Sequence, residues 1–345
     1  MKKVLALILA LAMILAMTAC GEKKTEPEPE KKPEQEAMKL TVATNFAEDY
    51  ISWQSMVKAT EQITERTGGK ITFELYPAEQ LVKTAEIFEA VSTGLIDMAP
   101  LLLENYVGTD PFFGAAGNFG IYDDIDHQIR AWEGGQKDLL AEALEPYGIK
   151  LLGLTIPYAS GTQYMTTFEV HKPEDLKGKN IRVFGSANTI MTDLCGGNCI
   201  NMSSSEYYLA LQTGAIDGLT GNLVPSLNRS VQEVIDYIYD MNFSMSEDYA
   251  VINSAVWDKF TDETKAIFED VFSIENYTKP GAEQAEKNNE DARKIYEAAG
   301  VTFIEPTAEE KQIWLDLVAK TREEWLGKTG EKGAAFIKIS EDTRE

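Results

Sequence analysis

Apolar positions along this chain switch between two periods. Residues 39 to 44, K-L-T-V-A-T, and 70 to 76, K-I-T-F-E-L-Y, read as strands, the second with clear alternation. Between them Ile51, Met56, Val57, Thr60 and Ile63 share one helical face, and Gly68-Gly69 stops that helix. The order strand, helix, strand recurs, which predicts an α/β fold with largely parallel pairing. Residues 143 to 156 end one helix and begin another strand, and further strands are expected over 234–243 and 247–256. From Trp257 to Ala299 the pattern is helical and charged, with a break expected only at Lys279-Pro280-Gly281. A short strand over 301–304 and an amphipathic helix over 307–326, carrying Ile313, Trp314, Leu317 and Trp325, complete the pattern.

One segment occurs twice. Residues 86 to 97 are E-I-F-E-A-V-S-T-G-L-I-D and residues 206 to 217 are E-Y-Y-L-A-L-Q-T-G-A-I-D. Both fit E-x-x-x-A-(V/L)-x-T-G-x-I-D without a gap. Each reads as a helix ended by a glycine and turned into a strand that starts at Ile-Asp. Ser203 and Glu206 have the spacing of a capping box, which would mark the second helix's start. Two copies of one unit predict two lobes of related construction, with a cleft between them where a small ligand could bind.

The first forty residues follow neither period. Lys2 and Lys3 precede an unbroken apolar run from Val4, and small residues precede Cys20, the layout of a secretory signal peptide over residues 1 to 19. The junction M-T-A-C resembles a bacterial lipobox, with Met17 where leucine is usual, so Cys20 is expected to be lipidated and to begin the mature chain. Residues 21 to 37, G-E-K-K-T-E-P-E-P-E-K-K-P-E-Q-E-A, are charged and proline-rich and read as a solvated tether. As a coil it would span roughly 20–25 Å. The membrane contact expected is through the lipid alone.

Charge and chemistry narrow the function. With 32 basic and 56 acidic residues in 345, the formal net charge is −24, which excludes a sequence-independent nucleic-acid binder. Cys195 and Cys199, four residues apart, could pair or pack as small apolar residues, and the reading favours packing. His127 and His171 are the only histidines, too few for a histidine metal cluster and in unrelated contexts for a Ser-His-Asp site. No P-loop, G-x-S-x-G elbow or G-x-G-x-x-G is present, and D-D-I-D at 123–126 lacks the glycine and distal glutamate of a calcium loop. Binding is favoured over catalysis, and neither a cofactor nor a metal is expected.

Residues 174 to 185 read E-D-L-K-G-K-N-I-R-V-F-G, a turn feeding a short strand. An arginine there points to solvent or is aimed at an anion. The pairing of D-L-K-G-K-N-I-R-V with E-Y-Y-L-A-L-Q-T-G-A-I-D-G further on resembles the TRAP-transporter solute-binding proteins of the DctP family, over roughly residues 38 to 335. The resemblance implies a two-lobed periplasmic-binding-protein-like α/β fold, with a ligand cleft between lobes and a long lobe-spanning helix. It implies lobes of residues 38–158 with 248–285, and 159–247 with 286–345. It further implies capture of a small organic carboxylate and delivery to the membrane subunits of an ion-gradient-driven permease.

Under that resemblance Arg182 is the arginine that grips the substrate carboxylate, a task its planar two-donor fork suits. Other matches are less regular. Gln163 stands in G-T-Q where sialic-acid-type members have a second arginine. Gly185 replaces an asparagine and Ser204 an aromatic residue. Asn222 in D-G-L-T-G-N-L fits the family's amide only with one inserted residue, and Asn45 matches a polar contact of the first lobe. The loss of one cation and one aromatic wall argues against a sialic acid. A binding lipoprotein of an ABC importer, a surface-anchored carboxylate-dependent hydrolase and a ligand sensor are the alternatives.

Overall fold

The computed structural model describes residues 34–203, 206–241 and 244–344, and Glu36–Glu345 form one unit. Cys20, the signal peptide, the tether to residue 33 and Ser204 lie outside the described residues. Among the described residues no helix is long and apolar enough to cross a membrane.

Eleven short strands are described: β1 (Met38–Ala43), β2 (Ile71–Tyr76), β3 (Met98–Leu101), β4 (Ile149–Thr155), β5 (Gln163–Thr166), β6 (Asn180–Arg182), β7 (Asn198–Ile200), β8 (Gly218–Gly221), β9 (Tyr237–Tyr239), β10 (Asp248–Asn253) and β11 (Thr302–Ile304). They form two sheets, ordered β2-β1-β3-β10-β4 and β11-β9-β5-β8-β6-β7. Read from the β7 end, the second sheet repeats the first and adds β11.

The expectation of parallel pairing holds around β1, β6 and β9 and fails at two strands. β10 runs antiparallel to both β3 and β4, and β5 runs antiparallel to both β8 and β9. These are the strands at which the chain, leaving β4 or β9, enters the other sheet. A strand arriving from the neighbouring lobe enters from the opposite end, so its direction is reversed. The helix Lys279–Ala298 is a further connection: a Cβ on Gly281 would lie 3.2 Å from Ser55 and 3.6 Å from Thr155, while Ala292 and Tyr296 are buried against the second sheet.

Alternation along each strand fills a core on both faces of each sheet. Leu40, Val42 and Ile252 pack on one face of the first sheet, and Ala43, Leu101 and Val251 on the other. Ile181, Tyr164 and Tyr239 lie on one face of the second sheet, and Met165, Leu219 and Ile238 on the other.

Both copies of the repeat do the same structural work. The helix Thr84–Thr93 ends at Gly94 with φ 76°, and the helix Tyr207–Gln212 is followed by Gly214 with φ 70°, a left-handed geometry that favours glycine. Asp97 then accepts from the Thr41 backbone N–H at 2.7 Å and donates its own N–H to the Thr41 carbonyl. Asp217 does likewise with Asn180, at 2.8 Å in each direction. The motif's terminal aspartate thus docks the new strand beside the central parallel strand of its lobe. Glu206 accepts from the Ser203 N–H as a capping box requires, and regular helix begins one residue later, at Tyr207.

Two helical boundaries differ from expectation. The break after Trp257 is not at Lys279-Pro280-Gly281: helix Asp262–Val271 ends earlier, a wide π-helical turn covers Ile274–Thr278, and Pro280 sits in the first turn of the next helix, where a missing N–H leaves no bond unmade. The last helix runs Ala308–Asp342, beyond the expected 326, with a kink at Gly330. Trp314 and Val318 join the second-sheet core, whereas Phe336 and Ile337 join the first. Cys195 and Cys199 are both free thiols, and burial pushes the Cys195 thiol up to about 12.

Candidate ligand cleft

Arg182 closes β6, paired with Leu219 of β8, on the opposite face from the buried Ile181 and Val183. Its half-buried guanidinium lies 5.2 Å from the Tyr207 ring centroid and 5.6 Å from that of Phe184, and Nε donates to the Met202 carbonyl at 3.4 Å. Arg229, exposed just beyond the helix Leu223–Leu227, approaches the same Tyr207 ring at 5.9 Å. Arg66, Arg293, Arg322 and Arg344 each meet a carboxylate. Arg182 and Arg229 have no carboxylate partner among the described residues. Desolvation, together with repulsion from Arg229, lowers the Arg182 pKa from its ordinary value, although a guanidinium keeps its charge at any working pH. Two cations sharing one aromatic ring without carboxylate partners among the described residues could seat an anion.

The other predicted residues are placed differently. Gln163, at the start of β5, is buried; its amide donates to Asp240 at 2.6 Å, and Asp240 accepts from Arg293 at 2.9 Å. That chain fixes the Gln163 nitrogen, while its Oε1 is buried without a partner among the described residues. Buried Asn222 precedes the helix Leu223–Leu227 and donates to the Ser160 carbonyl at 3.1 Å, and Ser160 in turn bonds Asn289 at 3.0 Å. It therefore ties the second sheet to a segment connecting the lobes. Gly185 opens the helix Gly185–Leu194, and Asn45 is half-buried in the turn after β1.

The wall contributed by the first sheet is acidic and aromatic. Tyr50 packs on Phe46 at 4.4 Å and edge-on against Tyr158 at 5.8 Å. Asp248, first residue of β10, accepts from Ser52 at 2.5 Å and from the Tyr50 hydroxyl. Burial pushes its carboxyl up to about 7 despite those bonds. Glu247, bonded by Tyr249 and by Gln128, is likewise pushed to about 7 by burial. Glu104 is half-buried as a residue, yet desolvation of its carboxyl and repulsion from Asp248 and Glu247 also raise it to about 7. Tyr158 experiences the charge of Arg229, so the acidic and basic walls face within electrostatic range of each other. Arg229, Tyr207, Tyr158, Asp248 and Glu104 were not predicted from sequence. Only Glu104 left a trace there, as a lone charge after L-L-L in a strand-like run.

Two sheets of matching strand order joined by crossing segments, with arginines lacking carboxylate partners among the described residues on one and buried acids on the other, have the build of a two-lobed solute-binding protein. The chain belongs to the bacterial extracellular solute-binding proteins, family 7, the DctP family, whose model matches residues 42–329. Among curated relatives it is 26% identical to the C4-dicarboxylate-binding periplasmic protein DctP of Rhodobacter capsulatus, over 81% of this chain and 84% of that one. It is 25% identical to the 2,3-diketo-L-gulonate-binding periplasmic protein YiaO of Escherichia coli, over 83% and 86%. An alignment at 28% identity to YiiZ, an uncharacterized protein of Salmonella typhimurium, spans 64% of that protein. Among solved structures, a TRAP periplasmic solute-binding protein of Ochrobactrum anthropi superposes with a TM-score of 0.83 at 20% identity, covering 90% of this chain and 96% of that one. DctP6 of Bordetella pertussis, a receptor binding pyroglutamic acid, gives 0.78 at 20% identity, covering 88% and 100%.

Proposed function

We propose that this protein is the extracytoplasmic solute receptor of a TRAP transporter, that it captures a small organic acid between its lobes, and that it hands it to the membrane permease. The observation that carries the reading is the pair Arg182 and Arg229 on the Tyr207 ring, both without counter-ions among the described residues of a strongly acidic chain. In this reading Arg182 holds the carboxylate, Asn45 and Gly185 are further contacts, Gln163 and Asn222 act from the bonds that fix them, and Ser204 is assigned to the site from its sequence position alone. The lobes divide at 158/159, 247/248 and 285/286, with the final turns of the C-terminal helix packed on the first lobe. Relatives and neighbours named for pyroglutamate, glucuronate, galacturonate and gulonate support a small acid as the ligand class.

The protein binds and releases without turnover and is anchored through a lipidated Cys20. Mass spectrometry of small molecules released from the purified protein tests the ligand class: an organic acid is expected, and a neutral or cationic solute would refute it. For the anchor, Cys20→Ser should move the protein out of the membrane fraction, and continued membrane association would refute lipidation.

A further inference from the structure

Phe184 has two neighbourhoods. One side meets the Arg182 guanidinium at 5.6 Å; the ring also lines a cavity of about 470 Å³. That cavity is walled by Leu102, Val107 and Ile190 with Trp325 from the C-terminal helix, and Glu104 opens into it. Glu104 has no hydrogen-bond or ion-pair partner among the described residues. It is lodged against backbone: a Cβ on Gly117 would stand 2.5 Å from its Oε1, so the space behind it admits no side chain. A carboxylate drawn partly out of water with its acceptor positions unused is stabilised when a ligand supplies the donor. Asn105, Asn118, Ser246, Thr321 and Lys328 share the cavity, but Asn118, Thr321 and Lys328 donate to other groups and none of the five bonds Glu104 among the described residues, while Asp248 and Glu247 nearby add repulsion that any second anionic group would also meet.

We propose that Glu104 determines specificity by accepting a hydrogen bond from an N–H or O–H of the ligand, so that the cleft selects amino, lactam or hydroxy acids over the same acids lacking that donor. The inference rests on the reading of Arg182 as carboxylate anchor. The ligand then spans the two walls through Phe184, its anionic end on the basic lobe and its donor end on the acidic one. Above about pH 7, where Glu104 is ionised, a hydrogen bond to this charged acceptor is worth about 1.5–3 kcal/mol, which corresponds to a preference of roughly 10- to 150-fold.

The test is calorimetric titration of the full mature chain at pH 8 with two matched pairs: pyroglutamate against 3-oxocyclopentanecarboxylate, which replaces only the ring N–H by a methylene, and lactate against propionate. Wild type should favour the donor-bearing member of each pair by that factor. Glu104→Gln, nearly isosteric, should compress the preference to within about threefold, and Glu104→Asp, which withdraws the carboxylate by one methylene, should give an intermediate value. Circular dichroism establishes that each variant is folded. Equal binding of both members by wild type, binding of neither pair, or an undiminished preference in both Glu104 variants would overturn the proposal. Arg182→Ala separates the two readings. Binding that it abolishes but that ignores the donor removes only the role of Glu104. Donor-selective binding that survives it removes the carboxylate anchor and leaves Glu104 standing.

Discussion

The two lobes share a construction and differ in chemistry. In each, a helix ends at a left-handed glycine and an Ile-Asp pair docks the next strand through Asp97 or Asp217, and in each the strand arriving from the other lobe is the antiparallel one. The walls they turn to the cleft are nonetheless opposite. The first lobe carries Glu104 at a cavity wall with Glu247 and Asp248 buried within electrostatic range of it, and the second carries Arg182 and Arg229 around Tyr207. A duplicated framework fixes where strands end and leaves free what the strand ends carry. The charges that set the two lobes apart, Glu104, Glu247, Asp248, Arg182 and Arg229, therefore all lie outside the repeat, although Tyr207 lies within it.

The sharpest way to break the comparison is to neutralise one wall. Asp248 has its folded pKa raised from about 4 to about 7, so between those values the folded state binds more protons than the unfolded one. Its contribution is greatest at low pH and is lost as pH rises through about 7, up to ~4 kcal/mol for this shift. Glu104 and Glu247 act in the same direction. Asp248→Asn keeps an oxygen for Ser52 and Tyr50 and carries no charge. Urea denaturation should find it more stable than wild type at pH 8, by roughly 2–4 kcal/mol, with a flatter profile from pH 4 to 7. A profile as steep as wild type would mean that Asp248 is not the group being neutralised.

On the opposite wall, Arg182→Ala should weaken ligand binding by ~1.5–3 kcal/mol, about 10- to 150-fold, with partial recovery in Arg182→Lys because a point charge cannot reproduce the two-donor fork. Titration of the co-purified acid measures this. Unchanged affinity in a folded Arg182→Ala protein would return the residue to the role of a strand arginine facing water.

The shared framework makes a prediction of equality. Asp97→Ala and Asp217→Ala each remove one acceptor from a half-buried backbone N–H, so each should cost about 1–1.5 kcal/mol of stability, alike in the two lobes. A loss confined to one lobe would break the structural equivalence. Smaller still, Gly94→Ala and Gly214→Ala place a Cβ in the left-handed region at about 1 kcal/mol each. The Asn253 side chain, 3.6 Å from the added Cβ at Gly94, is ordinary contact, so no extra penalty is expected there. Thermal denaturation of the pair decides.

Much of this molecule was determined by local pattern in the sequence. The alternation at 70–76, the helical face from Ile51 to Ile63 and the glycine-stopped repeat depend on neighbours within a few residues, and each formed as read. The arginine of K-G-K-N-I-R-V was also legible, because its strand and turn are local. The tertiary structure decided the rest. Only pairing across the chain reverses β5 and β10, which a strand's own composition does not encode. Only packing commits the Gln163 amide to Asp240 and Arg293, 77 residues away and beyond. Only packing lodges Glu104 against Gly117 and places Arg229 and Arg182 over one ring, since burial and charge proximity are properties of residues distant in sequence brought together in space.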